Sequence, residues 1–247
     1  KTIIMNIILP LAGISSFDNH NNFYPLPLRE VSGKPLIQYV VENLLTIKGV
    51  NKFIYILKEE DCLKFHLDNT LKLLTPNCEV VALKSKTFGA VCSILMAVDS
   101  VNKDDDTIIV NADQVFNLNL NSIINQLRDE KSDAGLITFQ SVHPRWSYVI
   151  SDKNDNVLQA EEKNPISKFA IAGFYYFKSF NDFIESAFEA IEIEDYHDNK
   201  LYTSALINQM ILLNKKVTHK SIDSKNYISF YSPQKIAEFE RYITKNK

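Results

Sequence analysis

Five short apolar runs punctuate the first 140 residues: "TIIMNIILPL", "NKFIYIL", "EVVAL", "TIIVNA" and "AGLITF". They show little polar alternation, so each reads as a strand covered on both faces rather than one with a wet side. Between them the apolar residues change to helical spacing. Leu36, Ile37, Val40, Val41, Leu44 and Leu45 form one such stripe, and Pro35 suits a first helical turn. Leu63, Leu67, Leu71 and Leu74 form a second, and Val91, Ile94, Leu95 and Val98 a third. Strand and helix in strict alternation predict an α/β fold: a mostly parallel sheet between two layers of helices.

After Gly135 the texture changes. "WSYVIS", "NVLQAEEK" and "AIAGFYYFKS" are closely spaced strand candidates joined by polar turns such as Asp152 to Asn156, which predicts an antiparallel or mixed extension of the same sheet. Helical stretches follow at Phe180 to Ile191 and Thr203 to Leu213. The final element opens "SPQKIAEFERY", with Ser232 as N-cap and Pro233 in the first turn. Without a repeat, a low-complexity tract or a Pro/Gly/Ser linker, residues 1–247 read as one domain.

The formal net charge of −3 gives no electrostatic reason to expect nucleic acid as partner. Cys62, Cys78 and Cys92 form no CxxC pair and sit in apolar surroundings, as small buried hydrophobes do in a reducing compartment. The apolar runs are too short to span a membrane, and the expectation is a cytoplasmic protein without membrane insertion.

The first strand empties into a long irregular segment beginning at Gly13. In open α/β sheets, ligands bind at the carboxyl ends of the strands, and that is where Gly13 falls. Gly89 opens the Val91 helix and Gly173 lies inside a strand, two further places where backbone can approach a ligand; plain turn chemistry is the alternative. Asp113 directly follows an apolar strand, so its carboxylate leaves the same sheet edge. It is a hard oxygen ligand suited to Mg²⁺ (or Mn²⁺) arriving with a nucleoside triphosphate, or else an Asx turn.

In sequence, "LPLAGISSF", "PLPL" and "GKPLIQYVVENL" resemble the opening strand, loop and helix start of the sugar-phosphate nucleotidyltransferases. "KTFGAVCSILMA" resembles that family's T-x-G-A helix start, and "VNADQVF" its metal-binding S-D-Q segment. "VLQAEEKNPISKFAIAGFYYF" resembles its acceptor-closing run, and "YSPQKIAEF" its terminal G-T-P-E segment. The resemblance implies a Rossmann-like, glycosyltransferase-A-like three-layer fold. It implies nucleotide contacts from Leu11, Ala12, Gly13, Ser15 and Ser16, with Thr87 and Gly89 bordering base and ribose and Asp113 on the metal. Glu162, Lys163 and Gly173 would face a phosphorylated small-molecule acceptor. From the residues themselves, Arg145 is a candidate to bind that acceptor, and Trp146 and Tyr148 are candidates to line its pocket, with core packing the equal alternative for the two aromatics. The implied reaction joins an acceptor phosphate to the α-phosphorus of an NTP and releases pyrophosphate.

Several family residues are replaced. The loop arginine has no counterpart in "GISSF", the P-K-P-L lysine is Leu26, and Ser229 and Tyr231-Ser232 stand where an acidic residue and "GT" are expected. Arg29, Lys34, His20 and Arg145 are the substitutes at hand for positive charge, and Asp223 for the second carboxylate. The particular motif set is most similar to nucleotidyltransferases encoded with bacterial capsule genes, which implies CTP as donor and an amino-acid-derived phosphate, such as L-glutamine phosphate, as acceptor. A non-catalytic nucleotide-binding homologue, a sugar-1-phosphate nucleotidyltransferase using another NTP, and a glycosyltransferase of related fold are the competing readings. The acidic segment "EDYHDNK" (Glu194 to Lys200) reads as a solvated loop.

Overall fold

The computed structural model describes residues 4–13 and 24–245. In chain order the elements are β1 (Met5–Pro10), β2 (Glu30–Val31), β3 (Lys34–Pro35), α1 (Leu36–Leu44), β4 (Val50–Lys58), α2 (Glu59–Phe65), α3 (Leu67–Leu74) and β5 (Cys78–Leu83). Then come α4 (Ala90–Leu95), β6 (Asp106–Val110), β7 (Gln114–Phe116), α5 (Leu120–Asp129), β8 (Ala134–Gln140), β9 (Tyr148–Ser151) and β10 (Val157–Glu161). The chain finishes with β11 (Phe169–Phe177), α6 (Phe180–Glu192), α7 (Thr203–Leu212), β12 (Val217–Ile222), β13 (Tyr227–Ser229) and α8 (Pro233–Lys245).

The apolar runs form the centre of the main sheet. β5, β4, β1 and β6 lie side by side and parallel, in that order. Successive residues of β1 serve opposite layers: Ile7 and Leu9 pack with α1, while Ile8 packs with α4, α6 and α7. On α1, Leu36, Ile37, Val40, Val41 and Leu44 are all buried. Five such side chains stabilise the docked helix by on the order of 10 kcal/mol, an upper figure because denatured chains already bury some surface. The fold is therefore mixed α/β, with a mostly parallel central sheet and a helical layer on each face.

The mixed extension turns on β11. Its C-terminal half, Phe174 to Phe177, runs antiparallel to β6; Phe169 and Ala170 pair with β9; and β8 lies along the other side. The register slips between Ile171 and Tyr175, so the strand is bent at its middle. β12 adds in parallel to β8, a strand the sequence did not announce. A separate ribbon pairs β13 with β7, Ser229 opposite Gln114. The expected second helix is two: His66 adopts the left-handed conformation (φ 52°) and separates α2 from α3, leaving Leu63 exposed. Ser232 caps α8 through the Lys235 amide (3.1 Å), as its sequence suggests.

Candidate active site

The parallel register of β1 and β6, Ile8 beside Ile109, brings residues 11–13 and 111–113 out at one sheet edge. Gly13 is exposed there, with no atom of the described residues within 4 Å of where a Cβ would stand. Leu11 is different. It is buried and its amide donates to the Ile56 carbonyl (2.8 Å), so it packs the strand end and has no N–H left for a phosphate. Ser15, Ser16 and His20 lie outside the described residues.

Asp113 sits between β6 and β7. Its carbonyl accepts from the Phe230 amide (2.7 Å), which fixes the segment against the β13 end. Burial pushes its carboxyl above the ordinary aspartate range, opposed only by its own backbone amide. Among the described residues no cation pairs with it. The neighbours Asn111 and Gln114 are braced on β11: the Asn111 amide and the Gln114 Nε2 both donate to the Gly173 carbonyl (2.9 and 3.0 Å), and Tyr227 donates to Gln114 Oε1 (2.9 Å). Gly173 is left-handed (φ 59°), and a Cβ there would lie 2.8 Å from Asn111 Cγ and 2.9 Å from Gln114 Oε1. Its want of a side chain lets β11 press against the residues around Asp113.

Beside this edge opens a cavity of about 210 Å³ whose walls include Asn111, Arg145, Trp146, Glu162, Lys163, Gly173, Tyr175, Tyr202 and Tyr227. Four sequence candidates thus meet in one chamber: Arg145, Glu162, Lys163 and Gly173. Glu162 Oε2 accepts from Ser204 Oγ (2.7 Å) and from Ser147 Oγ, leaving Oε1 for a ligand. The Arg145 guanidinium stacks over Tyr231 at 3.7 Å, in the segment that replaces "GT". Lys163 donates to Asp198 Oδ2 (2.9 Å) and to the Tyr202 hydroxyl (3.2 Å). Burial works against its charge, but these hydrogen bonds outweigh it and raise its pKa. Burial likewise pushes the Tyr175 and Tyr227 hydroxyls well above the usual range, so both stay neutral donors at working pH.

The segment 87–91 flanks the chamber through Ala90. Thr87 Oγ1 lies 2.6 Å from Ser93 Oγ and 3.2 Å from the Gly89 carbonyl, which braces the turn into α4. Gly89 has φ 104° and ψ −179°, and a Cβ on it would meet Leu201 O at 2.5 Å and Leu201 N at 2.7 Å. The close approach that demands glycine here is the 197–201 turn of this chain. "EDYHDNK" is therefore not simply a solvated loop. His197 and Lys200 exchange two backbone hydrogen bonds (2.9 and 3.0 Å) around Asp198 and Asn199, both left-handed, forming a tight hairpin. Leu201 N donates to the Phe88 carbonyl (2.7 Å) and Val91 N to the Leu201 carbonyl (3.3 Å).

Other sequence candidates fall elsewhere. Tyr148 is fully buried, its hydroxyl donating to the His143 carbonyl (2.7 Å), so it anchors the loop carrying Arg145 instead of lining the chamber. Asp223 caps a 3-10 turn through the Lys225 amide (3.0 Å) and pairs with the Lys225 ammonium (2.9 Å), contacts that also hold its pKa low. It lies beyond the end of β13 remote from Asp113, and the residue facing Gln114, the neighbour of Asp113, across that ribbon is Ser229. Lys34 is held by Glu42 on α1 (2.9 Å), and Arg29 follows a 3-10 turn at residues 26–28; neither lines the chamber. Asn111, Tyr175, Tyr202 and Asp198 were not singled out from sequence. Only Asn111, two residues before Asp113, carried a signal there, in "NADQ".

A Mg²⁺ ion is usually held by one or two carboxylates with substrate phosphates completing the shell. Asp113, raised in pKa and without a cation partner among the described residues, fits that role. Among the described residues no group of three His, Cys, Asp or Glu would hold a metal by itself, and no helix is long and apolar enough to cross a membrane.

A profile described as nucleotidyl transferase matches residues 23–226. A UTP–glucose-1-phosphate uridylyltransferase of Haloferax volcanii is 20% identical over 158 residues, and the match spans 62% of this chain and 63% of that relative's length. A solved nucleoside-diphosphate-sugar pyrophosphorylase from Vibrio cholerae superposes with a TM-score of 0.82 at 23% identity, covering 95% of this chain and 99% of its own. A UDP-glucose pyrophosphorylase complexed with UDP-glucose gives 0.77 at 16% identity, covering 99% and 100%.

Proposed function

Because the chain belongs to the nucleotidyl transferase family, we propose that residues 1–247 act as one metal-dependent unit in the cytoplasm. It moves a nucleoside monophosphate from an NTP onto a phosphorylated small molecule. The observation that supports this most is the adjacency of two complementary features. Asp113 offers a carboxylate with no cation beside it among the described residues, and the neighbouring chamber gathers Arg145, Lys163 and Glu162.

In this reading the triphosphate lies along the edge from Gly13 to Asp113, with its base toward Thr87. Asp113 would hold Mg²⁺, which when bound would neutralise phosphate charge. Lys163 and Arg145 hold the acceptor phosphate, and Glu162 Oε1 takes a hydrogen bond from the rest of the acceptor. An acceptor phosphate oxygen forms the new bond to the α-phosphorus as the bond to the β-phosphate's bridging oxygen breaks, and pyrophosphate leaves. The nucleophile is already an anion, so no general base is needed; alignment and charge neutralisation carry the rate.

The motif set favours a CTP:phosphoglutamine cytidylyltransferase of capsular phosphoramidate biosynthesis, with CTP and L-glutamine phosphate as substrates. The likeness to the Haloferax volcanii UTP–glucose-1-phosphate uridylyltransferase favours instead a sugar 1-phosphate with UTP. The positions of Lys34 and Arg29 off the chamber favour a third reading, a homologue that binds nucleotide without turnover. Pyrophosphate release separates the three. The four NTPs are each tested with L-glutamine phosphate and with hexose 1-phosphates, with Mg²⁺ and with chelator. Turnover with CTP and the amino-acid phosphate, stopped by chelation, is the expected result. Nucleotide binding without release in every pairing would overturn the proposal.

A further inference from the structure

Resting on that reading, we propose that Asp198 and Tyr202 are positioning residues that aim the Lys163 ammonium at the acceptor phosphate. An ammonium carries three N–H donors on a flexible stem with much rotamer freedom to lose. The hairpin takes one of them at Asp198 Oδ2 (2.9 Å), and the Tyr202 hydroxyl just beyond it takes another (3.2 Å). The third is left for a ligand in the chamber that Lys163 and Tyr202 line together. The ammonium also lies 5.0 Å from the centre of the Tyr202 ring.

Lys163 comes to this position from a backbone that is itself unusual, with φ 54°. Asp198 has φ 51° at the hairpin tip, so the turn and not the side chain alone sets where its carboxylate stands. The hairpin is in turn gripped by the nucleotide side of the site, through Leu201 against Phe88, Gly89 and Val91. One short turn thus spans from the segment bordering the base to the cation that receives the acceptor. As a mere surface ion pair, Asp198–Lys163 would contribute little to stability, since the Asp198 side chain is 69% exposed. Its consequence lies in where it holds the ammonium.

The test is a double-mutant cycle on acceptor kinetics. Asp198→Ala raises the acceptor KM about 3- to 10-fold, the loss expected for one charge-assisted hydrogen bond, with nucleotide affinity within about 2-fold. Asp198→Asn keeps a residue suited to positive φ and shows a smaller rise. Tyr202→Phe keeps the ring and also raises the acceptor KM. In a Lys163→Ala background, Asp198→Ala adds nothing. An unchanged acceptor KM in Asp198→Ala, or a full additional loss in the Lys163→Ala background, would overturn the inference.

A wild-type protein without turnover strikes the functional reading and not this one. The same variants are then read by NMR of the protein labelled with ¹³C,¹⁵N-lysine and titrated with inorganic phosphate. The Lys163 signal responds at several-fold higher phosphate in Asp198→Ala than in wild type. Superimposable titrations would overturn the inference.

Discussion

Replacing Gly89 by alanine tests the hairpin's seat on the segment 87–91. Its backbone angles, φ 104° and ψ −179°, lie in a region open in practice to glycine alone, which costs another residue about 1–3 kcal/mol. The new methyl would also stand 2.5 Å from Leu201 O and 2.7 Å from Leu201 N, and both are backbone atoms that cannot rotate away. If the hairpin yields, the bonds from Leu201 N to Phe88 O and from Val91 N to Leu201 O stretch or break, at about 1 kcal/mol each. The expected loss is about 2–4 kcal/mol. For a chain of this size that lowers the unfolding temperature by about 5–15 °C. Calorimetry of Gly89→Ala beside wild type measures it, and acceptor KM measured on the folded fraction should rise as Lys163 loses its guides. A variant within about 1 °C of wild type, with unchanged acceptor kinetics, would show that Leu201 is not seated on Gly89 as described.

Asp113→Asn should abolish most turnover yet leave the unfolding temperature at pH 7–8 unchanged or higher. The folded state binds this carboxyl's proton more tightly than the unfolded chain, so its ionisation weakens the fold as pH rises above the ordinary aspartate range of about 3.9; a clear drop in melting temperature would contradict the placement. His219 is buried, with Thr138 Oγ1 2.8 Å from Nδ1 and Ser151 Oγ 2.8 Å from Nε2, and burial lowers its pKa. Its contribution is present above the ordinary histidine value of about 6.5 and is lost as pH falls through it toward the lower folded value, so urea midpoints should decline between pH 8 and 5.5, and less steeply in His219→Gln. Glu162→Gln should weaken acceptor binding with nucleotide affinity intact, measured by calorimetry, because the serines at 147 and 204 keep the side chain in place; equal losses for both ligands would count against an acceptor role.

The central strands were legible because they are covered on both faces, so Ile7, Ile8 and Leu9 had to be apolar without alternation. β12 was not, because "VTHKSI" hides its burial. Thr218 is satisfied by Ser132 (2.7 Å) and His219 by Thr138 and Ser151, partners far away in sequence. At the site, the chemistry-bearing residues of contiguous motifs were readable: Glu162 and Lys163 meet Arg145 and Gly173 in one chamber. For Tyr148 the core alternative holds: β9 is covered on both faces at this point, with Tyr148 and Val149 both buried, so an aromatic there did not by itself point to a pocket. Asp198 was passed over because its partner lies 35 residues earlier, and only the left-handed turn delivers it there.

The bent strand β11 bonds to β6, β8 and β9 at once, so the two halves of the candidate site share a single backbone. A hinge between the Asp113 edge and the chamber wall carrying Gly173 and Tyr175 would have to break that common ladder. Closure around substrates is therefore confined to peripheral segments, and the turnover cycle should leave the main sheet's geometry fixed.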